Sequence, residues 1–415
     1  MSGPSTSPDT AGRVSRAVRT RMYAMAWVDE FGPLYALYTL WFNDNGITTA
    51  QISIVFLVWA AVAIVLEIPS GAVADLMDRR VLLAAAFVLR AVGIGIWLVF
   101  PTFAGALVGA LLWATHSALA SGTWEALIHD ELEELGEAST YATVLARMEQ
   151  FSDLGIAAGT VAAFGLLRVG ASILALGWFT VALHAITIAL VLSLPEVDRR
   201  GANGPAETVG QAVTDWWRTL TDGVREAAGN AVVARLVVLG AFVEGLFVFD
   251  EYVPLLGRDR GAADSIVPFL VLVVWVGRLI GSELVARRPD LGRAPVSAML
   301  VVGVGAMFAG LLADSIVALA LIGFGYFALQ ALWLISGARL QEQLSPERRA
   351  TVTSIRGFGG GVVNTAAFLL IAVMANGDDP QPGLLIALGA LLTVAVAARF
   401  LLPARSVLTT EANPT

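Results

Sequence analysis

The stretch "EIPSGAVADLMDRR", Glu67 to Arg80, leaves one long apolar run and stops just before another. A glutamate, a proline, a glycine among small residues, two aspartates and an arginine pair make sense here only once the solvent around the flanking runs is known. Hydrophobic residues make up 57% of the 415-residue chain and charged residues 14%, against about 25% charged in an average soluble domain. So few polar side chains cannot cover a water-exposed globule of this length, and the surroundings must be a bilayer. A hydrocarbon core of roughly 30 Å needs about 20 apolar residues per helical span. Suitable runs are centred near Leu34, Ala61, Leu89, Leu112, Ala158, Ala182, Leu239, Val274, Ala306, Phe327, Leu369 and Leu391, which predicts twelve transmembrane helices. The quoted stretch is then the cytoplasmic end of span two and its short connection to span three.

The same composition removes several kinds of chemistry. The chain has no cysteine, so disulfides, thiolate metal sites and cysteine nucleophiles are excluded together. His116, His129 and His184 are too scattered to form an i, i+4 ligand pair. Neither a metal nor a cofactor is expected, nor the nucleophile and base constellation of a membrane-embedded enzyme. No nucleic-acid partner is expected either, and a monomer is. The first run follows Arg13, Arg16, Arg19 and Arg21, is as long as a span and lacks a small-residue cleavage site, so it reads as a retained helix.

All 26 basic residues are arginines, and their placement sets the topology. Most lie before span one or in alternate connections: Arg79 and Arg80, Arg147, Arg199 to Arg235, Arg287, Arg288 and Arg293, Arg339 to Arg356, then Arg399 and Arg405. Arg168, Arg258 and Arg260 fall on the other side, and Arg90 and Arg278 fall inside the membrane. The excess marks the cytoplasmic face, so a multi-pass protein of the cytoplasmic (inner) membrane with both termini inside is expected.

Polar residues between the sixth and seventh runs, including "PEVDRRGANGPAETVG", divide the chain into halves. The expected organisation is an N-terminal six-helix bundle over 1–194, a cytoplasmic linker over 195–229 and a C-terminal six-helix bundle over 230–415. Within the linker, Val209, Val213, Trp216, Leu220 and Val224 recur at helical spacing, as expected of a helix lying on the inner leaflet. Offsets of about 215 and 208 residues align Asp29 with Glu244, Gly46 with Gly261, and the "ATV" at Ala142 with the "ATV" at Ala350. The fold class that follows is an all-α integral membrane protein whose two six-helix bundles are related by pseudo-two-fold symmetry.

These residues resemble the major facilitator superfamily of secondary transporters, in its drug-efflux-like branch, over essentially the whole chain. The family signature between helices two and three is a glycine, three residues, an aspartate, a basic residue, a spacer, a glycine and two basic residues. Gly71, Asp75, Arg79 and Arg80 match it, and Leu76 and Asp78 depart from it. By that resemblance Asp75 meets the start of helix eleven near Ser354 to Gly357, with Arg356 as counter-ion, and the five residues Gly71, Asp75, Arg79, Arg80 and Arg356 form an inner gate. Physically, Gly71 permits close helix approach, and a carboxylate suits a helix N-terminus. The family's antiporter signature in helix five is half present, with Gly155 and Gly159 in place but Thr160, Ala163 and Phe164 where a proline and two glycines belong. The acidic loop "HDELEELGEAST", His129 to Thr140, reads as a solvated face, with pairing to cytoplasmic arginines as the alternative.

An ionisable side chain at the bilayer centre costs about 2.5–3.5 kcal/mol on insertion scales, so each one is a functional hypothesis. Asp29 and Glu30 fall near the middle of span one, just before Gly32 and Pro33, and Glu244 holds the matching position of span seven. With Gln330, Trp333 and Asn364 they form the expected proton- and substrate-binding set. Glu67, Arg90, Glu125 and Arg278 are candidates for intramembrane ion pairs, Glu67 with Arg90 among them; Asp153, Asp250 and Glu251 lie nearer the membrane surfaces. The expected function is proton-coupled efflux of a small hydrophobic or cationic molecule by alternating access. Import of a neutral nutrient and a non-transporting receptor or scaffold are the alternatives.

Overall fold

A computed structural model describes residues 8–195, 214, 217–218, 221, 223–225 and 228–403. Within them the regular elements are all helical. The first half runs α1 (Pro8–Glu30), α2 (Tyr38–Asp44), α3 (Thr49–Leu76), α4 (Arg79–Val99), α5 (Phe103–Glu134), α6 (Tyr141–Arg168) and α7 (Ile173–Leu192). The second runs α8 (Ala231–Gly245), α9 (Val253–Asp259), α10 (Val267–Arg287), α11 (Arg293–Leu312), α12 (Ala320–Glu342), α13 (Pro346–Met374) and α14 (Gln381–Leu401). Most of the linker helix expected through Val209, Val213, Trp216 and Leu220 lies outside the described residues. Val224 is helical and exposed, and Gly223 lies against Thr351 and Ile355 of α13.

Eleven described helical segments are long and apolar enough to cross a membrane, one fewer than the twelve expected. The difference is the run around Leu34. It divides into α1, a 3-10 turn over Pro33–Ala36, and α2. Pro33 has no N–H to donate, and its ring clashes with the carbonyl four residues back, that of Asp29. The groups this frees are satisfied by side chains: Tyr35 Oη donates to the Asp29 carbonyl at 3.3 Å, and Leu34 N–H donates to Thr180 Oγ1 of α7 at 3.2 Å. A broken helix at membrane depth survives only with such partners.

Span seven breaks as well. α8 stops at Gly245, and a 3-10 turn, Phe249–Tyr252, leads into α9. Here the partners are Asn364 of α13, whose Nδ2 donates to the Gly245 carbonyl at 3.4 Å, and Tyr326 of α12, whose hydroxyl accepts from Asp250 N–H at 2.8 Å. Each half therefore interrupts its first helix directly after the carboxylates that stood out in the sequence.

The chain separates into two compact units, Met1–Tyr35 with Val65–Val213, and Ala36–Ile64 with Thr214–Thr415. In the first, α4 packs on α5 and α7, and α1 packs on α6 and α7. Gly155 of α6 sits under the Trp27 carbonyl of α1, and a Cβ on Gly159 would come 3.1 Å from Gly32 N. The half-present glycine signature thus lets α6 close on α1 where α1 breaks. In the second unit, α10 and α11 pack on α12, α8 on α13, and α11 on α14.

Candidate functional site

The break after α1 holds Asp29 and Glu30 in the first unit, and α4 carries their partner. Arg90 is 4% exposed. Its Nη1 lies 2.9 Å from Asp29 Oδ1 and 3.9 Å from Glu30 Oε1. The guanidinium stacks over Tyr35 at 4.9 Å and Trp113 at 4.7 Å, so two ring faces and two carboxylates surround one buried cation. The expected pairing of Glu67 with Arg90 is therefore corrected: Glu67 is exposed on α3, and the nearer acids of α1 hold Arg90. Tyr35 links this cluster to His184, whose Nε2 lies 3.5 Å from the phenol oxygen and whose Nδ1 lies 2.8 Å from the Thr180 carbonyl.

Beside the pair, α1, α4, α5 and α6 line an open cavity of about 430 Å³. Asp29, Glu125, Glu149 and Asp153 line it, together with His116, Trp124 and three serines. Glu125 and Asp153 stood out in the sequence as off-centre acids. Glu149, His116, Tyr35 and Trp113 did not. Tyr35 reaches the site through the 3-10 turn after α1, Trp113 and His116 from the middle of α5 and Glu149 from α6, and aromatic side chains in a span give no sign in the sequence of which face they take.

In the second unit the expected residues form two groups. Trp333 Nε1 donates to Glu244 Oε2 at 3.4 Å, and Arg356 stacks on the Trp333 ring at 5.2 Å while donating to the Trp333 carbonyl at 2.9 Å. Gly240 and Gly337 leave the room that the Arg356 guanidinium fills. Arg278 stands over Phe247 and Trp275 and donates to Gln330 Oε1 at 3.3 Å; Gln330 in turn donates to Ser282 Oγ at 3.2 Å. Asn364 joins neither group, because its amide is used at the α8 break.

Of the five gate residues, Gly71 and Asp75 are placed on α3, but their side chains lie outside the described residues. Arg79 donates to Asp130 Oδ2 at 2.7 Å and to the Ala126 carbonyl at 2.8 Å, tying α4 to α5. Arg80 donates to the Leu194 carbonyl at 2.9 Å at the end of α7. Arg356 is 7% exposed, stacks on the Trp333 ring and donates to the Trp333 carbonyl and to Ser336 Oγ. Asp78, which replaces the family glycine, is the N-cap of α4, accepting from Arg80 N–H at 2.8 Å and Val81 N–H at 3.2 Å. The acidic loop follows its alternative reading: Glu137 pairs with Arg19 and accepts from Ser15 Oγ at 2.8 Å, and Asp130 pairs with Arg79.

A further set lies on residues 36–64 of the second unit. Tyr38 donates to Glu251, Ser53 Oγ is 2.7 Å from Tyr252 Oη, and Arg258 bridges Asp44 and Asp264. Phe56 fills the space between Tyr252 and Phe368.

Comparison with known proteins agrees with this architecture. No curated protein matches the chain. The structure is similar to that of the nucleoside transporter NupG, with a TM-score of 0.70 at 16% identity over 92% of this chain and 98% of that one. It is also similar to a D-xylose-proton symporter, at 0.67 and 17% over 92% and 97% of the two chains. A bacterial homolog of the human lysosomal transporter Spinster, inward-facing and unoccupied, gives 0.60 and 17% over 96% and 95%. The sequence itself matches the Major Facilitator Superfamily over residues 22–362, most of the chain, and on that match this chain belongs to that superfamily of membrane transporters.

Proposed function

We propose that the protein is a proton-coupled secondary transporter that exports a small cationic or hydrophobic molecule by alternating access. The observation that carries this reading is the cavity lined by Asp29, Glu125, Glu149 and Asp153, whose carboxylates favour a cation over an anion. A carboxylate in such a place can hold either a proton or a cationic substrate, and that competition is what couples the two. Asp29 is the assigned coupling group, with Arg90 as the internal cation that occupies it when neither ligand does. Glu30 is its reserve, and Glu244 with Trp333 takes the corresponding place in the second unit.

The proposal keeps twelve spans, counting the interrupted run around Leu34 as one. They form six-helix bundles over 1–194 and 230–415, joined by the 195–229 linker, in the cytoplasmic membrane with both termini inside. Asp75 and Gly71 serve the inner gate, with Arg79 and Arg80 anchoring α4 beside it. Import of a neutral nutrient is the second reading, supported by structural neighbours that include a D-xylose-proton symporter. Flux into proteoliposomes under imposed pH gradients tests the choice: an exporter of this kind moves its cation against the proton flow, and an importer moves its nutrient with it.

A further inference from the structure

The cavity of the first unit discriminates among cations through its hydrogen-bonding character. Ser117 Oγ donates its proton to the Trp113 carbonyl at 3.1 Å, and Ser152 Oγ donates to the Ala26 carbonyl at 3.4 Å. Each hydroxyl therefore turns only lone pairs toward the cavity. The four carboxylates, when ionised, are acceptors as well. No arginine is among the residues lining the cavity. His116 is 5% exposed, lines the same space, and leaves its Nδ1 buried with no hydrogen-bond partner. Buried polar atoms are rarely left so, and an orphan of this kind marks a position that a ligand or water completes.

With the imidazole proton on Nε2, His116 Nδ1 is a further acceptor, and a wall of acceptors around it is matched by a ligand rich in N–H donors. It is poorly matched by a cation whose charge is shielded by alkyl groups, because such a cation displaces water from the acceptors without replacing its hydrogen bonds. A metal ion is a poorer fit, since no three of the described His, Asp and Glu side chains converge to hold one. Trp124, with Phe87 beside it, offers an apolar wall for the methylene chain between charged ends.

The geometry points to a binding site for an N–H-bearing organic cation, a primary amine, diamine or guanidine, between α1, α4, α5 and α6, with His116 Nδ1 and the carboxylates of Glu125 and Glu149 reading its donors. This rests on the cation reading above and narrows it from any cationic or hydrophobic compound to donors of this class. Arg90, itself a guanidinium on Asp29 at the cavity's edge, shows the type of group the site accommodates.

Binding separates the site from its coupling. The purified full-length protein in detergent, with no proton gradient, is titrated with hexamethylenediamine and with hexamethonium, two dications of the same chain length that differ in whether the nitrogens carry hydrogen. The site predicts saturable binding and thermal stabilisation by the diamine, with hexamethonium at least tenfold weaker. Glu125→Gln with Glu149→Gln should weaken the diamine at least tenfold. His116→Phe, which keeps a ring in place, should narrow the gap between the two ligands by several-fold. Equal or tighter binding of hexamethonium, or no diamine binding at millimolar concentration, overturns the assignment; this comparison uses the unaltered chain and does not depend on any variant folding. Selective diamine binding without gradient-driven flux would uphold the site and defeat the transport reading alone.

Discussion

The charge on Arg90 is the costliest feature of the first unit, because a guanidinium 4% exposed within a span needs full compensation. Asp29, Glu30, Tyr35 and Trp113 supply it. Removing one member of a buried pair strands the other, at about 3–5 kcal/mol, whereas removing both is far milder. Arg90→Ala should therefore lower the thermal midpoint sharply in detergent, and Asp29→Asn combined with Arg90→Gln should recover most of the loss; equal loss in the double variant would deny the pairing. The sequence showed that Asp29, Glu30 and Arg90 were too polar for their depth. It could not show which faced which, since a span of uniform hydropathy gives no reference face and leaves Glu67 as open a candidate for Arg90 as the acids of α1. At the cytoplasmic end, burial pushes the Asp78 carboxyl up, but the Arg80 side chain and the backbone N–H groups of Val81 and Arg80 hold it below its ordinary value. A depressed folded-state pKa stabilises above the unfolded value of about 3.9 and is lost as pH falls through the folded one. Asp78→Ala should cost about 1 kcal/mol at neutral pH and nothing in strong acid.

Helix interruption is the design shared by the two halves, and the two breaks differ in how well the sequence announces them. Gly32 and Pro33 are visible signals, yet a hydropathy window averages across them and returns a continuous span. The break after Gly245 has no proline. It depends on Asn364 and Tyr326, more than seventy residues away along the chain, and such tertiary capping leaves no local trace. Since the freed backbone groups have specific partners, their loss should be measurable. Thr180→Val keeps the side-chain volume but leaves Leu34 N–H without an acceptor, a cost of about 1–3 kcal/mol, read as a lower thermal midpoint with activity retained at low temperature. Gly155→Leu drives a side chain into the Trp27 carbonyl and should reduce folded yield; wild-type yield and midpoint would mean that α1 and α6 do not approach as closely as described.

At the scale of the whole molecule, alternating access requires contacts that form and break. Within the second unit, residues 36–64 are joined to α9, to the 3-10 turn before it and to the turn before α14 through Asp44 with Arg258, Ser53 with Tyr252, and Thr49 Oγ1 donating to the Asp378 carbonyl at 2.6 Å. The absence of native cysteine makes these positions testable. An Asp44→Cys, Arg258→Cys pair oxidised to a disulfide should stop transport and release it on reduction; unchanged transport with the bridge formed would mean that this surface stays closed throughout the cycle. Single cysteines at Asp259 and Asn230 should label only from outside and only from inside intact cells, respectively, if both termini are cytoplasmic.

Proton-coupled export through Asp29 is tested most directly by the proton itself. Proteoliposomes carrying the protein and a luminal pH dye are given agmatine on the outside, a dication whose guanidinium stays charged and does not leak as a neutral base. Exchange predicts a rise in luminal pH that is absent from protein-free vesicles and is lost in Asp29→Asn, although that variant still binds agmatine. A fall in luminal pH would mean cotransport, and no change, or an undiminished rise in Asp29→Asn, would contradict the account.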